Sequence, residues 1–186
     1  MNETQHIVNT DILLKSIGKK EIKPIFETIN SQREYLGEWL PFVEYTLKET
    51  DTRDFINSVN LKETRDLTFA IYYKDYFAGL ISLKEPDYDN KKVEIGYWLA
   101  ENFQHLGIIT LSGKYLINEA FSKLGFNRIQ LKAATENLKS QRVAERLGFI
   151  KEGIERDGEL HKNGFVDLIV YGLLKKDWLC LSENYF

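Results

Sequence analysis

The chain has 186 residues, of which 43% are hydrophobic and 28% charged, with a formal net charge of −3 and a pI near 5.7. This is enough for one domain with a sizeable core, and the balance of charge argues against disorder and against nonspecific nucleic-acid binding, which needs clustered Lys and Arg. The single cysteine, Cys180, excludes an internal disulfide and fits a reducing compartment. No apolar run approaches the ~20 residues of a membrane-spanning helix, and residues 1–10 lack a signal-peptide pattern, so a cytoplasmic protein is expected.

In chain order, residues 6–17 read as a first strand, with Ile12, Leu13 and Leu14 as its apolar part and a turn at Gly18-Lys19. Residues 21–36 place Ile22, Ile25, Phe26, Ile29 and Leu36 on one helix face, with Pro24 in the first turn. The aromatic break Glu38-Trp39-Leu40-Pro41-Phe42 precedes a second helix. Thr50 or Asp51 would cap it, Phe55, Ile56 and Val59 share one side, and it fades near Thr64. Strands over residues 67–73 and 76–83 flank a two-residue turn, Lys74-Asp75, and residues 87–91 form a polar loop.

A third strand covers residues 93–99 and a helix about 107–124, with Ile109, Leu116, Ala120 and Leu124 at helical spacing. Gly113 lies on that side and would let the helix pack closely onto a sheet. Residues 128–134 alternate as a strand, and a short helix, about 138–147, closes at Gly148. Two last strands, about 150–157 and 165–174, enclose a loop with Lys162-Asn163-Gly164. The tail, 175–186, starts as a short helix and then frays. There is no internal repeat or linker. The order predicts a single α/β domain over 1–186, with its core at about 11–174 and a mixed sheet carrying helices on both faces.

The stretch around which the chain is organised is the third strand and the turn after it. An apolar strand entering a helix through Gln104, His105, Leu106, Gly107, Ile108, Ile109 and Thr110 leaves orphan backbone amides at the positive end of the helix dipole, an anion site suited to phosphate or pyrophosphate. Gly96, inside an apolar strand, fits a bulge, a close approach or a packing accommodation.

The Gln-x-x-Gly turn resembles the acyl-CoA-binding motif of the GCN5-related N-acetyltransferases (GNATs), Q/R-x-x-G-x-G/A, with Ile109 where Gly or Ala usually completes it. The run from Asn137 through Ser140 to Gly148-Phe149 resembles the family's second motif, N-x-x-S-x-x-[VA]-x-x-[KRE]-x-G-F. Trp39-Leu40-Pro41-Phe42, and the block from Gly158 to Asp167 with Tyr171 beyond it, are similar to the RimJ/RimL-like ribosomal-protein branch. The resemblance spans about residues 11–174 and implies the GNAT fold, a central, mostly antiparallel mixed sheet. It also implies acetyl-CoA as cosubstrate with no metal, a protein N-terminal amine as acceptor (a ribosomal protein by branch) and a dimer. Backbone groups of Ile95, Gly96, Tyr97, Trp98 and Leu99 would pair with the pantetheine arm. Amides from Gln104 through Thr110 would hold the pyrophosphate, His105 being a solvated loop residue, and Asn137 would touch the arm.

Transfer of acetyl from a thioester to an amine needs a neutral amine, a stabilised oxyanion and a place for the departing thiolate. An α-amine with pKa ~7.7–8 is partly neutral near pH 7, whereas lysine at ~10.4 depends more on a base. Glu159, matching a RimL-type glutamate, and Glu94, matching the base of other branches, compete for that role, and His161 is a third candidate because imidazole titrates near neutrality. Ser140 would donate a hydrogen bond to the thiolate, although Ser140 and Asn137 are also good helix-start residues without catalysis. The aromatics Trp39, Phe42, Tyr72, Tyr73, Tyr97 and Trp98 either pack the core or line an acceptor groove. His6, His105, His161 and Cys180 show no metal-ligand spacing. The alternatives are a small-amine acceptor, a polyamine or an aminoglycoside, and a non-catalytic acyl-CoA sensor.

Overall fold

Apolar residues are dense along 67–73, where Phe69, Ala70 and Ile71 are all buried, and recur through 92–99 and 128–134, and the sheet grows around these strands. The structure is a computed structural model that describes residues 4–61 and 66–183. Its strands are β1 (Gln5–Ile7), β2 (Ile12–Ser16), β3 (Leu67–Tyr73), β4 (Tyr76–Asp87), β5 (Lys92–Leu99), β6 (Arg128–Ala134), β7 (Ile150–His161) and β8 (Gly164–Leu174). The helices are α1 (Ile22–Ser31), α2 (Arg33–Gly37), α3 (Glu49–Val59), α4 (Ile108–Ser122), α5 (Leu138–Arg146) and α6 (Lys175–Glu183). In space the strands run β1-β2-β3-β4-β5-β6-β8-β7, antiparallel throughout except for β5 and β6, which α4 connects as a crossover.

The sheet buries both faces. Val93, Ile95, Ile129 and Leu131 pack against Ile108, Leu116, Ile117, Ala120 and Phe121 of α4. On the other face Ala70, Leu80 and Trp98 meet Ile22, Ile25 and Ile29 of α1 and Ile56 of α3. Gly113 serves a contact between helices rather than one with the sheet: a Cβ there would stand 3.0 Å from Leu147 Cδ1, just past α5.

Several predicted elements divide or shift for local reasons. Residues 6–17 form a hairpin, because Asn9 Oδ1 accepts the amides of Asp11 (2.9 Å) and Ile12 (2.8 Å) and turns the chain. The helix expected over 21–36 breaks at Gln32 (φ −129°, ψ 32°), which uses its side-chain Oε1 to accept the Glu101 amide at 2.8 Å. The second helix starts after Lys48, and Asp51 contributes from inside it, accepting the amides of Leu47 and Lys48, both at 2.8 Å. Thr64, where that helix was expected to fade, lies outside the described residues. Lys74 and Asp75 both take left-handed φ (48° and 69°), as a tight mirror-type hairpin turn requires.

One feature positions the site. β5 pairs with β6 at only Lys92–Arg128, Val93–Ile129 and Glu94–Gln130. Yet β5 stays paired to β4 as far as Leu99, and β6 to β8 as far as Ala134. The two strands therefore part after Glu94, leaving a wedge with backbone edges on both sides. Of the readings open for Gly96, its pairing with β4 shows no register shift and so no bulge, and a Cβ there would meet Lys84 Cε at 3.3 Å, a close approach.

Candidate active site

The wedge opens into two cavities. One, of about 440 Å³, lies toward α4 and α5, where Tyr35, Leu99, Gln104, Ile109, Arg142 and Arg146 contribute to its wall. The other, of about 540 Å³, is enclosed by α1, α3, the Trp39-Leu40-Pro41-Phe42 turn and strand β7. Six residues line both: Trp39, Leu40, Tyr97, Trp98, Asn137 and Ser140. A molecule threading the wedge would pass Tyr97 and Ser140 between one chamber and the next.

At the mouth of the smaller cavity the chain turns into α4. His105 (φ 62°) and Gly107 (φ 72°) are both left-handed, and among the described residues the amides of 105–110 donate to no backbone carbonyl. Clustered free amides at the start of a 15-residue helix make a concave anion site. Gly107 is needed for its conformation, since a Cβ would meet nothing within 4 Å. The bulk of Ile109 turns into the core, where it is 7% exposed.

Gln104 behaves differently from the residues after it. Its amide donates to Glu101 O at 3.1 Å. Its side chain bonds to Tyr35 Oη, and its Oε1 accepts from Lys139 Nζ at 3.0 Å, joining α2 to α5 across the cavity wall. Lys139, Arg142 and Arg146 were not anticipated. They lie at positions i, i+3 and i+7 of α5 and line the same chamber, and Arg146 Nε donates to Thr110 Oγ1 at 3.3 Å. That spacing was visible in the sequence, but a charged helix face reads equally well as a solvated one. With the amides of 105–110, these cations fit a diphosphate group.

Asn137 caps α5: its Oδ1 accepts the Ser140 amide at 3.0 Å. Ser140 Oγ lies 3.0 Å from Tyr97 Oη, and Tyr97 also reaches Ser140 O at 3.3 Å. Burial pushes the Tyr97 phenol up to about 12, outweighing the opposing Ser140 hydrogen bond and Arg146 charge. The phenol therefore keeps its proton and acts as a donor.

The three base candidates are held in different ways. Glu94 lines the larger cavity with both oxygens engaged: Lys84 Nζ is 2.9 Å from Oε1, and Gln130 Nε2 donates to Oε2 at 3.3 Å. Glu159 lies on β7, not in a loop. Between Glu155 and Glu159 the strand bulges against β8, Asp157 takes φ 50°, and its amide donates to Asp167 Oδ1 at 2.9 Å. A bulge of this kind re-aims the residues after it, and Glu159 lines the larger cavity. His161, two residues on and so on the same strand face, places Nε2 2.7 Å from Glu159 Oε2.

Residues 11–150 match the acetyltransferase (GNAT) domain. The chain belongs to the GNAT acetyltransferase family. This GNAT chain is 38% identical over 175 residues to YdaF of Bacillus subtilis (strain 168), covering 92% of this chain and 95% of that one; its name assigns YdaF provisionally to the ribosomal N-acetyltransferases. It is 29% identical over 166 residues to the ribosomal-protein-serine acetyltransferase of Escherichia coli (strain K12), covering 88% and 93% of the two chains. Among solved structures it resembles the microcin C7 self-immunity acetyltransferase MccE in complex with acetyl-CoA and AMP, at TM-score 0.84 and 30% identity, with 90% and 94% of the chains covered. The activity is that of an N-acetyltransferase.

Within this GNAT fold, Gln104, His105, Gly107, Ile108, Ile109, Thr110 and Leu99 line the smaller chamber. Ile95, Gly96, Glu94 and Glu159 line the larger one. Leu106 and His161 line neither, and Leu106 points outward as an exposed residue. Among the described residues no helix is long and apolar enough to cross a membrane.

Proposed function

We propose that the chain moves the acetyl group of acetyl-CoA to the α-amine of a protein N-terminus, with a ribosomal protein as the acceptor class. Bound acetyl-CoA supplies the activated acetyl as a thioester. The amides of 105–110, with Lys139, Arg142 and Arg146, would hold its diphosphate, and the unpaired edges of β5 and β6 would take its amide-bearing arm as an added strand. Ser140 stands between the chambers, placed to donate to sulfur, and Glu159 faces the chamber from which the amine enters.

The observation that carries the acceptor class is the lining of the larger chamber. Trp39, Leu40, Pro41, Phe42 and Phe55 form an apolar and aromatic wall, and Lys84 and Lys132 are the cations on it, paired to Glu94 and Glu155. The carboxylates on the same lining are Glu85, Glu94 and Glu159, so the acceptor class rests on the apolar and aromatic wall and not on charge. A peptide N-terminus brings one amine followed by amide groups and side chains, which such a wall accommodates. The names of the two relatives point the same way.

The test is an acceptor panel read by thiol release from acetyl-CoA. It compares peptides with free N-termini, the same peptides N-blocked but carrying lysine, spermidine and an aminoglycoside. Turnover confined to free N-termini is expected. Turnover on spermidine alone would overturn the acceptor class, and acetyl-CoA binding without turnover on any amine would favour a sensor.

A further inference from the structure

The residue left without a role in this scheme is Tyr97. It projects from β5 just beyond the point where β6 departs, borders both chambers, and meets Ser140 at Oγ (3.0 Å) and at the backbone carbonyl (3.3 Å). Its backbone was expected to face the pantetheine arm, and nothing in the sequence pointed to its hydroxyl. We infer that Tyr97 is a positioning residue that donates its phenolic proton to Ser140 Oγ, leaving the proton of Ser140 free to point into the wedge between β5 and β6. This rests on the reading of Ser140 as the donor to sulfur.

The direction of the bond decides its use. A serine hydroxyl has one proton, and if that proton were spent on Tyr97 Oη, none would remain for a third group. The phenol also has one proton, which faces Ser140 Oγ at 3.0 Å and the Ser140 carbonyl at 3.3 Å as a three-centre bond, with the shorter branch to Oγ. The phenol is by far the stronger acid of the two and so the better donor. It also stays protonated across any ordinary assay range, because burial holds it up at about 12. The Ser140 amide is already fixed by Asn137 Oδ1 at 3.0 Å, so Asn137 and Tyr97 hold the residue from two sides. When the amine nitrogen bonds to the acetyl carbon, the carbon–sulfur bond breaks and sulfur keeps its electron pair. The Ser140 proton then hydrogen-bonds to that thiolate, and the amine proton leaves toward Glu159. A donor chain Tyr97–Ser140–sulfur polarises each link toward the developing charge.

The test needs no acceptor. CoA is bound to the whole protein, and ionisation of its thiol is followed by thiolate ultraviolet absorbance as pH rises, for wild type, Tyr97→Phe, Ser140→Ala and the double variant. Bound thiol is expected to ionise at lower pH in wild type than in Ser140→Ala, by roughly one unit, the scale of a hydrogen bond to a charge. Tyr97→Phe, which removes one oxygen and keeps the ring, is expected to raise the midpoint by about half a unit or more. The double variant should do no more than Ser140→Ala alone, with calorimetric CoA affinity within about threefold throughout. In turnover, Tyr97→Phe should lower kcat about tenfold and leave KM for acetyl-CoA unchanged. If Ser140→Ala moves the midpoint and Tyr97→Phe does not, or if the two shifts add, the inference about Tyr97 falls while the role of Ser140 stands. If neither variant moves it, both fall.

Discussion

His161 Nε2 and Glu159 Oε2 lie 2.7 Å apart on one face of β7, with the His161 side chain 10% exposed and that of Glu159 45% exposed. The imidazole is thus the enclosed partner and the carboxylate the one presented to the larger chamber. Two residues that looked like rivals for a base form one unit, in which His161 fixes the Glu159 carboxylate. Glu159→Gln should lower kcat/KM by about 10²-fold, the low end for a general base, because an α-amine is partly neutral near pH 7. The loss should shrink as assay pH rises past the acceptor pKa. His161→Gln should cost less, about tenfold, by loosening the carboxylate. Initial rates from pH 6 to 9 check both, and full activity of Glu159→Gln across that range would remove Glu159 from the mechanism.

Glu94 should behave differently. With Lys84 on one oxygen and Gln130 on the other, both of its oxygens are engaged and its charge is held by Lys84. Glu94→Gln is expected to keep kcat within about threefold of wild type, while the unpaired Lys84 lowers stability by about 1 kcal/mol, the scale for a partly exposed ion pair. Parallel rates and thermal melts separate the two effects. A 10²-fold loss of kcat with no change in melting would make Glu94 the base.

How far the sequence carried depends on whether each feature is local. The alternation of 128–134 marks β6 at its observed bounds, and Gly148 takes the left-handed φ of 83° expected at a helix end. Both are nearest-neighbour chemistry. The strand expected to end near Asp157 instead runs to His161 through the Glu155–Glu159 bulge, because the bond that fixes the bulge comes from Asp167 on the partner strand. The Tyr97–Ser140 bond joins residues 43 apart across the wedge, and no spacing rule reports such a pair. The parting of β5 from β6 is equally silent in sequence: 95–99 and 131–134 remain ordinary alternating strands, each paired on its other side.

The junction of α4 and α5 offers a stability test. Leu147 is 1% exposed and sits over Gly113. Leu147→Ala should cost about 2–5 kcal/mol through lost burial and a residual cavity. Gly113→Ala alone gains about 1 kcal/mol of helix propensity but drives a methyl to 3.0 Å from Leu147 Cδ1, so the net change should be destabilising. In the double variant the new methyl has space, and Gly113→Ala should turn stabilising. Urea melts of the four proteins measure that coupling, and strict additivity would contradict the contact.

Tyr97 also sets an alkaline limit on stability. Its phenol ionises near 10 in an unfolded chain and is pushed up to about 12 in the fold, chiefly by burial. Below pH 10 both states hold the proton, and the contribution is constant. Between 10 and 12 the unfolded chain releases it and the folded one does not, so the unfolded state binds fewer protons and stability falls as pH rises, by up to about 1.4 kcal/mol per unit from this group. Tyr35 and Tyr171 are shifted upward as well, again mainly by burial, so the whole protein should lose more than Tyr97 alone accounts for. The difference between wild type and Tyr97→Phe isolates the one residue. Chemical denaturation at pH 9, 10 and 11 should show the two curves parallel up to pH 10 and then converging or crossing, with wild type losing stability faster. Curves that stay parallel to pH 11 would mean that the Tyr97 phenol ionises in the fold as readily as in the open chain.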